Sequence, residues 1–503
     1  MSQNLFDIFS HHFPADRNKP FLTDDKGHKI SYDMMEASSA QIANYLVSLG
    51  LQPGDRVAVQ VKKSAEALMT YLACVRAGFV YLPLNTGYRP AELEYFFADA
   101  KPSLIVAAPE DSDIVEPLAQ HNQAQFETLA ADGTGSLMTA SSQQSRYFAT
   151  VACAADDLAA ILYTSGTTGR PKGAMLSHQN LSSNALVLKD IWGWSSKDVL
   201  LHVLPIFHVH GLFVACHCVL AAGASMVFLP EFHPAKVIEQ LPGVTVMMGV
   251  PTFYTRLLAN ADFNRSQCDA MRLFISGSAP LLEETHYQFE QRTGHKILER
   301  YGMSETSMLV SNPLDGERRA GTVGFALPGV TVRIVDDNNQ MVGIAEVGSI
   351  QVKGPNIFQG YWKMPEKTAQ EFTEDGFFIT GDQGQISADG YISIVGRAKD
   401  MVITGGYNVY PKEVELVLDA IAGVKESAVF GVADDDFGEA VNAAVVADGT
   451  VELQPEQLVA EAKQQLASYK VPKQVFICEE LPRNTMGKVQ KNILRQHYTA
   501  AKT

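Results

Sequence analysis

Tyr163-Thr-Ser-Gly-Thr-Thr-Gly-Arg-Pro-Lys-Gly173 is the stretch of this chain that says most about its architecture. Two glycines, Gly166 and Gly169, and the hydroxyl residues Tyr163, Thr164, Ser165, Thr167 and Thr168 precede a single lysine, Lys172. Such a loop bends tightly, offers backbone N–H groups and hydroxyls to phosphate oxygens, and sets one cation beside them. The preceding Leu158-Ala-Ala-Ile-Leu162 is a short apolar run of the kind that forms a buried strand. Lys172 is followed by Gly173 rather than Ser or Thr, so this is not the P-loop of the common NTPases. A flexible surface turn is the competing reading, and the loop alone does not separate the two.

Working outward, 503 residues of which 46% are hydrophobic suffice for large cores and two or more domains. Forty basic against 56 acidic residues give a net charge of −16, which argues against nucleic-acid or anionic-membrane binding but leaves room for a small basic pocket. The N-terminus shows no charged segment followed by an apolar core, and Asp7 and Asp16 argue against a transit peptide. The most apolar stretch, about 200–229, is broken by Pro205, Gly211, Gly223 and four histidines, so no membrane span is expected. Six scattered cysteines without a CxxC pair suit a reducing cytoplasm.

Ser31 is placed to cap a helix whose apolar positions Met35, Ile42, Leu46 and Leu49 recur at helical spacing, with Gly50 to end it. The period then switches to two at Val57-Ala-Val59-Gln-Val61. Alternation of helix and strand through 66–84 and 90–107 reads as α/β layering. Residues 108–157, polar and poor in motifs, read as a variable connector. Past the charged bridge Gly396-Arg-Ala-Lys-Asp400 and Gly405-Gly406, about a hundred residues carry their own pattern: helix 411–420, strands 427–432 and 441–446, helix 455–467. The expected fold is therefore α/β and α+β in two domains, a large multi-sheet unit over 1–398 and a small mobile one over 399–503. One charged joint would let the latter swing as a body.

Several further segments supply what a nucleotide-dependent site needs. Arg300-Tyr-Gly-Met-Ser-Glu305-Thr306 offers an aromatic plane for a purine and a carboxylate that, with Thr164, suits Mg²⁺. Thr380-Gly-Asp382 offers an acceptor-only carboxylate for two ribose hydroxyls, and Arg397 is a second contact to the same sugar. Pro482-Arg-Asn-Thr-Met-Gly-Lys488 puts a lysine on a glycine-flanked loop. Each alone is as consistent with a structural or solvated residue. His202, His208, His210, His217, Cys216 and Cys218 fit no standard metal-ligand spacing and read as core or gate residues.

Together and in this order these segments, with Phe207–Gly211, Gly277–Pro280 and Gly396–Pro411, resemble the acyl-CoA synthetases of the adenylate-forming superfamily, over about residues 20 to 495. That superfamily also holds peptide-synthetase adenylation domains and firefly-type luciferases. The resemblance implies attack of a carboxylate on the α-phosphate of ATP, then displacement of AMP by the thiol of coenzyme A. It assigns ATP and AMP binding to Thr164, Ser165, Gly166, Thr167, Thr168, Lys172, Gly277, Ser278, Ala279, Glu299, Arg300, Tyr301, Gly302, Thr306, Asp382 and Arg397. Mg²⁺ falls to Thr164 and Glu305, and adenylation to Lys488. Lys399 falls at the hinge, His208 at a gate between acyl pocket and CoA tunnel, and Gly405 and Gly406 beside the pantetheine arm. The context of Lys488 also resembles sites of reversible lysine acetylation, which implies an acetyltransferase and deacetylase as partners.

Within the superfamily the chain is most similar to bacterial malonyl-CoA synthetases, on Gly249–Arg256, Phe274–Pro280, Glu299–Gly302, Phe377–Asp382 and Pro482–Lys491. A second carboxylate entering a pocket needs a cation. From the pattern alone Arg256, closing an apolar run, is a snorkelling helix residue. The resemblance makes it the first choice for the distal carboxylate, with Ser278 in support and Arg300 as second candidate. Val209 and Met308 are expected around the central carbon, so that methylmalonate is a poorer substrate. The alternatives are an aryl or short-chain acyl-CoA synthetase, or a stand-alone enzyme loading a carrier protein.

Overall fold

Val57–Val59, Val80–Leu82 and Leu104–Val106 are buried throughout, as strands covered on both faces of a parallel sheet must be. The computed structural model describes residues 2–164, 171–404, 407–434, 437–484 and 487–500, and the counts below refer to these. Gln125–Thr128, Leu104–Ala107, Arg56–Gln60, Val80–Pro83, Leu158–Thr164 and Lys172–Ser177 form one sheet in that order, parallel except for its last pair. A nine-stranded sheet lies beside it. Its six central strands are parallel: Leu298–Met303, Leu273–Ser276, Val246–Gly249, Val199–His202, Ser225–Phe228 and Pro20–Asp24. Antiparallel strands close both of its edges. An antiparallel sheet of Thr331–Val335, Gly348–Lys353, Phe378–Ile386 and Ile392–Arg397 completes the large unit.

The helix Ala65–Arg76 is buried over most of its length, and one continuous apolar cluster runs from it into all three sheets. Tyr71 on that helix meets His217 through a 2.7 Å hydrogen bond. The first helix of the sequence reading spans Tyr32–Ser48, capped by the Ser31 hydroxyl accepting from Met34 N–H.

Residues 108–157 are more than a connector. They hold a helix Ser112–His121, an edge strand Gln125–Thr128 and a short helix Ser136–Ser141. Only Ala108, Val115, Ala119, Glu127, Leu129, Leu137 and Ser141 turn inward on this outer flank, too few apolar positions to set a visible period in the sequence.

The C-terminal sheet runs Tyr407–Val409, Val402–Thr404, Gly438–Ala447 and Val424–Asp434, with Gln474–Cys478 added parallel to Gly438–Ala447. Helices Pro411–Asp419, Pro455–Gln465 and Lys491–Ala500 accompany it. Its apolar clusters contain only residues beyond 401. No helix among the described residues is long and apolar enough to cross a membrane.

Asp198 ties the parallel strands together at the end opposite the site. Its carboxylate, 5% exposed, accepts from Arg272 Nε at 2.6 Å and Nη2 at 3.0 Å, from Ser195 N–H at 2.8 Å and from the Thr245 hydroxyl at 2.9 Å. Asp198→Ala leaves those donors without their shared acceptor and is expected to cost roughly 3–5 kcal/mol, read as a lowered urea midpoint.

Candidate functional site

The carboxyl ends of the parallel strands open on one cleft, where open α/β sheets place their ligands. On its nucleotide side, Leu158–Thr164 pairs antiparallel with Lys172–Ser177, with Thr164 opposite Lys172. Ser165, Gly166, Thr167 and Thr168 lie outside the described residues. Lys172 Nζ stands 3.0 Å from Glu371 Oε1 and 4.1 Å above the Tyr361 ring. The Tyr361 hydroxyl donates to Glu305 Oε1 at 3.1 Å or to Glu371 Oε2 at 3.0 Å. Burial raises the Glu305 carboxyl above its ordinary range, against the pull of the Tyr361 hydrogen bond and of Arg397 and Lys172. Burial acts the same way on Glu371, but hydrogen bonds from Lys172 and Lys367 hold it below the ordinary range.

Thr164 Oγ1 lies 3.4 Å from Glu305 Oε1. This pair offers hard oxygen ligands but no dedicated cage. The residues fit Mg²⁺ that arrives with nucleotide phosphates, the usual mode for this ion. Tyr361 and Glu371 escaped the sequence reading. Lys172 and Glu371 are 199 positions apart, and Glu371 belongs to no glycine-rich or hydroxyl-rich motif.

Asp382 and Arg397 face each other on neighbouring strands. Arg397 Nε lies 2.6 Å from Asp382 Oδ1, and the Tyr301 hydroxyl donates to Oδ2 of the same carboxylate. Each carboxylate oxygen keeps a second lone pair for a ribose hydroxyl. Lys399 sits in the turn Ala398–Asp400, between the last strand of the large unit and the first of the small one. Gly405 and Gly406 lie outside the described residues.

Lys488 ends a turn in which its own N–H donates to Asn484 Oδ1 at 2.9 Å. A Cβ on the adjacent Gly487 would stand 3.1 Å from Thr252 Oγ1, so this turn packs on the large unit. The Lys488 ammonium is lowered to about 8, first by desolvation and then by Arg397, with Asp382 pulling the other way. The residue keeps contact with the solvent of the cleft, so the desolvation is partial. Adenylation needs Lys488 charged, so kcat/KM for the free enzyme is expected to fall as pH rises through about 8. Lys488→Arg should move that fall upward, as pyrophosphate exchange against pH will show.

Arg300 crosses the backbone at Gly277. It is 3% exposed, and its Nε and Nη2 are buried without a hydrogen-bond partner. A Cβ at Gly277 would lie 2.4 Å from its Cζ, so only glycine lets the guanidinium cross that backbone. Burial lowers it to about 10, so it stays charged at neutral pH. Ser278 follows with φ +72°, a strained value for a side chain of this kind, and its hydroxyl lies 3.2 Å from His210 Nδ1. Burial and then Arg300 hold His208 down to about 4 and His210 well below its ordinary value, so both rings are neutral. Val209 and Met308 are buried. Ala279 is half-buried, and the Gly302 backbone runs tightly against Ser307 and Met308.

Arg256 is placed differently. It is exposed on the helix Pro251–Leu258, one turn beyond Thr252, whereas Arg300 is closed in. The two arginines thus differ in burial, Arg256 lying at the surface and Arg300 in the interior. Thr306 is fully buried. Its hydroxyl donates to Ser307 O at 3.0 Å and accepts from Met303 N–H at 3.3 Å, which shapes the turn beneath Glu305. Glu299 accepts from Leu281 N–H at 3.1 Å and is raised to about 7 by burial. His210 was not among the expected site residues. Its signal was the second histidine of His208-Val-His210, read only as part of the gate.

The chain belongs to the AMP-binding enzyme family, whose model matches residues 9–362, with the AMP-binding enzyme C-terminal domain matched over 413–488. The malonate–CoA ligase of Arabidopsis thaliana is 38% identical, over 93% of this chain and 85% of that protein. The crystal structure of ATP-bound MatB from Rhodopseudomonas palustris is 53% identical over the full length of both chains, with a TM-score of 0.98. Apo MatB from the same organism, at the same identity and coverage, gives 0.87. The large and small units here are thus arranged as in the ATP-bound form.

Proposed function

We propose that this chain activates malonate to malonyl-CoA at the expense of ATP, through malonyl-AMP. The observation that carries the reading is Arg300, a buried cation with two unpaired nitrogens at the end of the strand Leu273–Ser276. A guanidinium left so is costly unless an anion completes it. A carboxylate there accounts for one end of the acid and leaves the other free to react.

In the first step the free carboxylate oxygen bonds to the α-phosphorus, and the bond from that phosphorus to pyrophosphate breaks. Lys172 holds the leaving phosphates beside Tyr361. Asp382, Arg397 and Tyr301 hold the nucleoside. Lys488 sets positive charge where two anions meet. Thr164 and Glu305 would hold Mg²⁺, which would supply charge neutralisation to the phosphates. In the second step the small unit turns about Lys399, which withdraws Lys488 and presents Gly405 and Gly406. The CoA sulfur then bonds to the acyl carbon and the bond to AMP breaks, with His208 at the entrance of the tunnel.

Val209 and Met308 bound the central carbon, so methylmalonate reacts more slowly than malonate. Acetylation of Lys488 would remove the charge that adenylation needs and act as a switch. Six free cysteines are consistent with a reducing compartment such as the cytoplasm. The deciding experiment is ATP-dependent hydroxamate formation with malonate, methylmalonate, acetate and 4-coumarate. Malonate is expected to lead. Equal or better turnover of 4-coumarate or acetate overturns the assignment.

A further inference from the structure

Lys63 is a lysine without a carboxylate. It stands just before the helix Ala65–Arg76, and no ion pair engages it among the described residues. Its three ammonium hydrogens have three acceptors: His202 Nδ1 at 2.8 Å, His202 O at 2.9 Å and Leu229 O at 2.6 Å. The Phe228 ring lies 4.2 Å below it. These acceptors stand at the carboxyl ends of the strands Val199–His202 and Ser225–Phe228. An apolar residue would join two sheets at lower cost, so a lysine desolvated at this point calls for a role that a hydrophobe cannot fill.

His202 supplies that role. It is 1% exposed, and its Nε2 lies 2.9 Å from the Gly211 carbonyl oxygen. A carbonyl only accepts, so Nε2 carries the proton and Nδ1 is the lone pair that receives Lys63. The tautomer is therefore set from both sides, by the Gly211 carbonyl at Nε2 and by the Lys63 ammonium at Nδ1. Gly211 in turn packs closely on the chain before it, since a Cβ there would lie 2.0 Å from Pro205 O. Residues 205–208 turn the chain into the helical segment that starts at Val209, so the turn carries His208 and the first helical residues are Val209, His210 and Gly211.

We propose that Lys63 and His202 are positioning residues for the acid pocket. Lys63 helps fix the His202 tautomer, His202 pins the Gly211 carbonyl, and the pinned segment sets His210 against Ser278 and Val209 against the substrate. The choice of malonate as the measured acid rests on the function proposed above.

Lys63→Met is expected to raise KM for malonate about tenfold or more while KM for ATP stays within about twofold, because the displaced segment lines the acid pocket and the CoA entrance and not the phosphate side. His202→Leu should do the same. His202→Gln retains an acceptor for Lys63 and a donor for Gly211, and is expected to recover most of the loss. Should Lys63→Met fail to fold, the two His202 variants decide alone. An unchanged acid KM in Lys63→Met, an equal rise for ATP, or a His202→Gln enzyme as impaired as His202→Leu overturns the proposal. If the parent enzyme rejects malonate, it is the functional reading that falls. The same KM pair is then measured with the acid that it accepts.

Discussion

Arg300→Met is expected to lower kcat/KM for malonate about a thousandfold, roughly 4 kcal/mol of transition-state binding, while leaving the protein as stable as its parent or more so. Both halves come from the same geometry. The guanidinium is buried, charged and short of partners at Nε and Nη2, so the folded protein bears a desolvation cost that a thioether does not. Sites that hold a destabilised group for function commonly gain stability when it is removed. Steady-state kinetics with malonate and acetate, together with denaturant unfolding, check the two halves separately. Acetate has no distal carboxylate, and its far weaker turnover should change little. A variant that loses stability and activity on both acids alike would make Arg300 a framework residue. Arg256→Ala removes a cation already screened by water, and about a tenfold loss on malonate is expected there.

Lys488→Ala is expected to stop acyl-AMP formation, with a fall of at least about a thousandfold in malonate-dependent pyrophosphate exchange, and to leave thioester formation from supplied malonyl-AMP within a few-fold of the parent. The turn bearing Lys488 packs through Gly487 on Thr252 and lies in the field of Asp382, Arg397 and Lys399. That is the placement required for the first half-reaction. The second requires the small unit to have moved. Loss of both half-reactions in this variant would falsify the division of labour between the two placements.

The elements legible from sequence were those whose chemistry is local. Ser31 caps its helix through its own third neighbour, Met34, and the apolar run Leu158–Leu162 forms the buried strand expected of it. Asp382 and Arg397 were placed on one sugar, and the structure sets them opposite each other on adjacent strands. What the sequence did not disclose depends on contacts across the chain. Glu371, just past the helix Pro365–Gln370, reaches Lys172 from 199 positions away. The strand Gln474–Cys478 adds to the small sheet beside Gly438–Ala447 with one buried residue, Val475, too little to register as a period. Choosing between Arg256 and Arg300 required burial. Arg256 follows an apolar stretch and Arg300 the mixed Gly294-His-Lys-Ile-Leu-Glu299, and the structure sets one on an exposed helical turn and the other across the face of a glycine.

On the function proposed above, the carboxylate that Arg300 engages is not the one that reacts. It would leave the enzyme unaltered on malonyl-CoA, so the guanidinium that admits the acid would hold the product as well. Such binding, equal in substrate and product, draws malonate in at low concentration without speeding the chemistry. Malonyl-CoA then competes with malonate for the pocket, and its departure slows turnover as it accumulates. An enzyme so arranged throttles its own output according to how quickly the next enzyme takes the thioester away.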